Sequence, residues 1–324
     1  MAGSRRLTGD SARACDNLDD ELDRLRGEGW RLDVVYPADD PHSAVLSRGD
    51  DQLRVTTRPD APAPSLTLPP FVPATILTQA LSSGGAGRAG MLYRDLIPGR
   101  LGGRYIASHI QVAEGGLVAD WVHYHHVAVQ LICVTQGWVR VVYEGQGNPF
   151  VMSPGDVVVQ PPGIRHRVLE SSAGLSVVEI GCPALHETIA DHDLALPSAA
   201  AEPGRIFGGQ GFVHHVAADA VWVPFAGGEA QETAVSDVTG GLADVRTIRP
   251  AGSGELNFAA HGGELVFGFV RSGSAMLEGD RLGASDSFVI PPHQAWRLAD
   301  VSADFLLLHV TTARMPAQLT AEIA

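Results

Sequence analysis

Lysine is absent from this 324-residue chain: all 23 of its cationic side chains are arginine. With no lysine amine there is no Schiff-base nucleophile and no attachment point for pyridoxal phosphate, so both chemistries are excluded. Cysteine is nearly absent too. Cys15, Cys133 and Cys182 are too few and too scattered for a disulfide framework or a CxxC metal knuckle. That usage fits a reducing compartment, and a cytoplasmic location is expected. No apolar run approaches the roughly 18 residues of a membrane span, and the opening MAGSRRLTGDSARACDN has no apolar core segment. Neither secretion nor membrane insertion is expected. Positive charge is in deficit: 37 Asp and Glu against 23 Arg leave a formal charge of -14, with an isoelectric point near 5.3. Nucleic acids and anionic membranes are read by basic surfaces, so neither is an expected partner.

What the chain does have is punctuation. Thirty-seven Gly and 21 Pro recur at short intervals among 45% apolar residues, the pattern of many short strands joined by turns. An all-β fold is expected, and the length suits two domains. Residues 1–17 read as a disordered N-terminus. Residues 18–90 read as a small α/β appendage and linker: an acidic helix in DDELDRLRGEGW, a strand in RLDVVY, a helix or turn in PADDPHSAVLSRG, a strand in DQLRVTT, then Pro-rich and Gly-rich breaks. A strand-rich unit over 91–185 follows, with a linker at 186–205, a second strand-rich unit over 206–316 and a tail at 317–324. The second unit repeats the order of elements in the first, which marks a tandem duplication.

The chemistry concentrates in GLVADWVHYHHVAVQLICVTQG, residues 116–137. Side chains at i and i+2 of a strand share a face, with Cα atoms about 6.6 Å apart. His123 and His125 can therefore reach one ion at about 2.1 Å each, while His126 and Tyr124 point the other way. Further on, PGDVVVQPPGIRHRVLE places Gly155 and Asp156 at a tight turn, then the stiff corner Pro161-Pro162-Gly163, then His166.

These two blocks resemble the paired motifs of the cupin superfamily. Gly116, His123, His125, Gln130 and Gly137 follow the first motif with one extra residue in the leading spacing; Gly155, Pro161, Gly163 and His166 follow the second at full spacing. The resemblance implies tandem jelly-roll barrels of the double-stranded β-helix type, with His123, His125 and His166 as metal ligands and Gly137, Gly155, Pro161 and Gly163 as structural turns. It departs at Gln130, where the family's usual ligand is a carboxylate. A neutral amide leaves a divalent ion its full charge. A unit charge at about 4 Å in an effective dielectric near 20 is worth about 4 kcal/mol, so an anionic substrate is expected. Gln130 either ligates or hydrogen-bonds.

The three-histidine set is similar to that of iron(II) dioxygenases acting on gentisate-like aromatics and β-diketones, several of which are bicupins. The reading this implies is a mononuclear non-haem Fe(II) dioxygenase that cleaves a C–C bond in a small aromatic, enol or diketone with O2, as a homodimer or higher homo-oligomer. The alternatives are Lewis-acid isomerase, epimerase or lyase chemistry with Zn, Mn or Ni, and a ligand-binding bicupin without turnover. Arg104, Arg140 and Arg165 are candidate clamps for a substrate carboxylate, and Trp138 a candidate wall; each is at least as readily a surface or ion-pair residue. Glu170 and Glu179 are candidate bases whose facing the periodicity leaves open. Cys133 reads as core. His109, His186, His192, His214, His215 and His293 read as surface or loop residues. In the second unit, Ala259, His261, Val266 and Trp296 take the places of His123, His125, Gln130 and His166, so that unit is expected to bind no metal.

Overall fold

The computed structural model describes residues 12–81, 84–86, 91–198, 200–252 and 254–319. The expected disorder of residues 1–11 and the last residues of the tail fall outside these. The fold is all-β with few short helices, arranged as two jelly-roll barrels and an N-terminal unit. No helix is long and apolar enough to cross a membrane.

Alternation along the strands explains how the barrels stack. In the strand Leu175–Cys182, Leu175 and Val177 point into the first barrel, whereas Val178, Ile180 and Cys182 point out of it into a second apolar layer. The strand Leu265–Ser272 behaves in the same way, with Val266 and Val270 inside the second barrel and Leu265, Phe267 and Phe269 in the shared layer. Each barrel thus contributes a seven-stranded sheet whose central strands are buried on both faces, so that Val157–Val159 and most of Leu265–Ser272 read as continuous apolar runs. Polar side chains on the inner faces of such sheets carry a desolvation cost, which marks Gln130 and Glu179 as exceptions.

A buried ion pair crosses the shared layer. Arg104 Nε and Nη2 donate to the two carboxylate oxygens of Glu264 at 2.9 Å each, Tyr105 donates to the same carboxylate at 3.0 Å, and Arg104 also donates to the carbonyls of Pro69 and Met315. Both charged side chains are under one-tenth exposed.

Several expected boundaries move. Residues 13–17 are ordered: Arg13–Ala14 pairs with Val55 and Thr56, and Asn17 caps the helix Leu18–Gly27 by accepting from the backbone of Asp19 and Asp20. Leu18, Leu22 and Leu25 of that helix pack on Ala44, Leu46 and Val55. The segment expected as helix or turn is the strand Ser43–Arg48, central in a meander with Arg31–Tyr36 and Asp51–Thr56. Within the expected linker, Thr188–Ala190 pairs with Arg31–Tyr36 on one side and His123–Tyr124 on the other, so the N-terminal unit and the first barrel share one sheet. Val213–His215 adds to the first barrel beside Val157–Val159, and Ile76–Thr78 adds to the second beside Ser287–Ile290. Edge strands are exchanged between the units because an unpaired edge is costly to leave open.

The duplication is visible in matched details. Gly137 and Gly273 sit at φ 71° and 73°, and a Cβ on either would meet a serine hydroxyl, that of Ser172 or Ser302. Gly163 N donates to His125 O at 3.1 Å, and His293 N donates to His261 O at 2.9 Å. Inside the second barrel, Trp296 stacks on Phe258 with ring centroids 3.7 Å apart, and His309 lies behind them.

Two stability predictions follow from this packing. Glu264→Ala strands the Arg104 guanidinium and is expected to cost about 3–5 kcal/mol, read from denaturant midpoints; a change within error would show that the pair does not hold the barrels together. Burial lowers His109 from 6.5 to about 4 and His309 from 6.5 to about 3, with Arg94 and Arg246 as further causes. Their folded pKa values are depressed, so the stability they contribute is full above about pH 6.5 and is lost as the pH falls from there through about 4 for His109 and about 3 for His309. The two are worth on the order of 3 and 5 kcal/mol respectively. His309→Phe is expected to flatten the stability-versus-pH curve between pH 6.5 and 4, and an unaltered slope would refute this account.

Candidate metal centre

His123 lies on a two-residue strand, His123–Tyr124, that is paired on both sides, against Ala190 in one direction and His166 in the other. This register sets the His123 and His166 rings side by side, with centroids 4.2 Å apart. His125, just beyond the strand end, faces both from 5.3 Å. The backbone holds the two motifs against each other: besides Gly163 N to His125 O, Gln160 N donates to Gln130 O at 2.9 Å. Gly155 and Gly163 occupy positive φ, 102° and 78°, at the corners that return the chain to His166.

Each imidazole is oriented by main chain. His123 Nδ1 bonds the carbonyl of Trp121 at 2.8 Å, His125 Nδ1 that of Glu187 at 2.9 Å, and His166 Nδ1 that of Ile164 at 3.1 Å. A carbonyl can only accept, so each Nδ1 carries the proton and each Nε2 the lone pair, the tautomer a metal ligand requires. All three rings are buried, and their ligand atoms lie within 4.8 Å of one another. Among the described residues they are the one such group. Asp120 adds a carboxylate 3.6 Å from His123 Nδ1. Gln130 is 1% exposed; its Nε2 donates to Glu179 Oε1 at 2.6 Å, while its own Oε1 is buried and accepts no hydrogen bond. Three neutral imidazoles and an unsatisfied amide oxygen fit a divalent first-row metal ion.

These groups line a cavity of about 110 Å³ inside the first barrel. One end is polar, formed by the histidines with Gln130, Gln160, Tyr143 and Glu179; the rest is mostly Val, Ile, Leu and Met, including Ile110, Val141 and Val177, with Ala38, Tyr93 and Ser171. Tyr143 lies parallel to His166 at 5.4 Å, and its hydroxyl accepts from Gln160 Nε2 at 3.1 Å. Burial raises the Tyr143 phenol well above its usual range. Glu179 supplies the one carboxylate among the lining residues.

None of the four expected substrate contacts reaches this cavity. Arg104 is spent on Glu264 between the barrels. Arg140 pairs with Glu170 on the outer face, and Arg165 pairs with Asp191 while lying over the Tyr124 ring at 4.3 Å. Trp138 is 36% exposed. Arg140 takes an outward strand position, where a charged side chain finds a partner at little desolvation cost, whereas Arg104 is buried and depends on Glu264. His126 points outward to Glu187 and Tyr124 outward under Arg165, as alternation requires. Two of the histidines expected in surface or loop positions are buried: His186, in a loop, packs edge-on to His125 at 5.3 Å, and His109, on a strand, bonds Arg94 and Ser176. Cys133 belongs to the layer between the barrels, where burial raises its thiol to about 12. Glu179 is the base candidate that faces the cavity. Tyr143, Gln160 and Ala38 carry no motif and went unnoticed in the sequence.

Residues 108–180 match the Cupin domain family. No curated protein matches the sequence. Among solved structures, the fold is similar to the oxalate decarboxylase of Bacillus subtilis. A tryptophan-to-phenylalanine variant aligns at 10% identity and a TM-score of 0.52, over 78% of this chain and 81% of that chain. The same enzyme at pH 4.6 aligns at 11% identity and 0.51, over 78% and 80%. Likeness at that identity extends to the two-barrel fold.

The centre predicts about one divalent ion per chain after anaerobic reconstitution with Fe(II), because the three imidazoles are oriented before metal arrives. Metal analysis of His166→Ala is expected to show that ion lost with the fold intact by circular dichroism. Full metal content in that variant would rule out this ligand set.

Proposed function

We propose that this bicupin is a mononuclear metal enzyme whose chemistry takes place in the first barrel, on a small weak acid with an apolar body: an enol, a β-diketone or a phenol. The observation that carries the reading is the cavity itself, with three histidines and one carboxylate at a polar end and mostly aliphatic side chains elsewhere. His123, His125 and His166 would hold the metal, with the amide oxygen of Gln130 as a fourth donor or as a hydrogen-bond acceptor. A ferrous ion there would supply Lewis acidity and open positions for dioxygen chemistry, manganese or nickel would serve as Lewis acids too, and zinc would supply Lewis acidity alone.

The protein's own part is to select and ionise the substrate. The aliphatic walls favour an apolar body, and burying it is worth about 25 cal/mol per Å² of surface removed from water. With no arginine among the lining residues, a permanent carboxylate has no permanently cationic side chain to pair with. A neutral acid enters at lower desolvation cost and can give its proton to Glu179 inside the cavity. The Gln130 amide fixes the Glu179 carboxylate by its 2.6 Å hydrogen bond and leaves the second oxygen of that carboxylate to take the proton. Oxidative C–C cleavage of the resulting enolate or phenolate, with one dioxygen consumed per substrate, is the leading reaction.

A second reading is favoured by the fold likeness. One of the similar structures is described by the Mn(II) centres of Bacillus subtilis oxalate decarboxylase, and manganese at this site would suit a lyase in which Glu179 returns a proton to carbon. Oxalate itself fits poorly, since its two charges would meet aliphatic walls and Glu179.

Oxygen uptake by the Fe(II)-loaded protein with a panel of β-diketones, α-hydroxyketones and phenolic acids tests the first reading. Glu179→Gln is expected to lower kcat by about 10²-fold with metal content unchanged. Turnover that continues without oxygen would replace the dioxygenase by the lyase, and carbon dioxide release from oxalate would overturn the argument from the apolar wall.

A further inference from the structure

The cavity is not closed by barrel residues alone. Ala38 lines it, and Ala38 belongs to the N-terminal unit, in the loop that joins the paired strand ends Tyr36 and Ser43. Register explains how it gets there. The strand Arg31–Tyr36 runs antiparallel to Thr188–Ala190, with Val34 opposite Ile189 and Val35 opposite Thr188. The chain that leaves Tyr36 therefore continues past Glu187 and His186. Those two residues hold His125, one through the carbonyl that accepts from Nδ1 and the other by edge-on ring contact. Ala38 thus comes to the His125 side of the cavity.

The loop is fastened rather than loose. Asp39 pairs with Arg100 of the first barrel, whose guanidinium also lies 3.5 Å from Asp95, and Asp40 pairs with Arg58 at 2.7 Å. Arg100 holds this position from a strained backbone, at φ 51°. His42 N donates to Tyr36 O, which closes the loop at its base.

We propose that Ala38 is a specificity-determining residue of the first-barrel cavity, and that the N-terminal unit is accordingly part of the substrate site. The inference rests on the reading of that cavity as the substrate site. An alanine contributes one methyl to the wall, and every heavy atom added to it displaces ligand volume from a space of about 110 Å³. A small oxygen or nitrogen donor that needs only the metal end is insensitive to this, whereas a ring-sized ligand is not.

The test uses the full chain loaded with cobalt(II) and two probes, azide and 4-nitrocatechol, titrated by visible absorption. Ala38→Trp is expected to retain its cobalt and to bind azide within about twofold of the parent, while 4-nitrocatechol binding weakens by about tenfold or more. Ala38→Val, a milder change should tryptophan disturb the loop, is expected to fall between the two. Unchanged 4-nitrocatechol affinity in both variants overturns the proposal, as does azide affinity falling in step with it or cobalt content falling in Ala38→Val. If the parent chain takes up cobalt but binds neither probe, the reading of the cavity as a substrate site fails, and this proposal with it; if it takes up no cobalt, the metal-centre reading fails.

Discussion

The site depends on the register of one very short strand. His123–Tyr124 is paired on both sides, and the pairing puts His123 opposite His166. A slip by one residue would turn both imidazoles to the other face of their strands, since side chains alternate with period two. The register is secured from several directions: by Thr188–Ala190, itself bonded to the N-terminal meander, and by the corner around Gly163, whose N–H reaches His125 O. The imidazole tautomers are set by the same backbone, because all three Nδ1 atoms meet main-chain carbonyls. Carbonyls have no alternative rotamers, so the main chain itself sets the tautomer of each ring.

The second barrel shows what this backbone does without that chemistry. Its corner repeats the hydrogen bond of the first, His293 to His261, yet its interior is filled by Phe258 stacked on Trp296, with Phe288 set edgewise against the indole. The place of His166 is taken by Trp296, and the side chain that pairs across from it is Phe258. Volume that the first barrel keeps as cavity is here spent on packing. Its outer sheet then carries the other half of the layer that buries the first barrel, with Arg104 and Glu264 fixing the relation between the two.

What was legible in the sequence was whatever spacing alone determines. Period-two alternation and the two glycine-flanked motifs suffice to bring His123, His125, Gln130 and His166 toward one point and to turn His126 and Tyr124 away. The turn glycines follow from the same logic, since positive φ is local. Roles that depend on tertiary neighbours were not legible. Arg104 looks like any strand arginine until Glu264, 160 residues later, is packed against it. Arg140 and Arg165 lie near the ligands in sequence but point outward to Glu170 and Asp191. The unit boundaries blurred for a related reason: Thr188–Ala190, Val213–His215 and Ile76–Thr78 are short strands that complete neighbouring sheets, and three residues are too few to show a period.

The replacement of the usual carboxylate by Gln130 reads differently once the sheet is in view. Gln130 stands opposite Gly181 and Ile132 opposite Glu179, so Gln130 and Glu179 are diagonal neighbours on the same inner face. The carboxylate has not been removed from the cavity; it stands on the adjacent strand and is tied to the amide by a hydrogen bond. Three neutral imidazoles with that displaced carboxylate divide two tasks that one ligating carboxylate would combine. On the proposed reading the imidazoles would leave the charge of a bound cation uncompensated by its ligands, and Glu179 would be free of the metal to exchange a proton. A bound cation and a negative side chain at the polar end of a small, largely apolar space would favour a substrate that arrives neutral and becomes an anion only on arrival. That condition is stricter than the preference for anions drawn from Gln130 alone, and it rests on Glu179, whose facing only the folded sheet reveals.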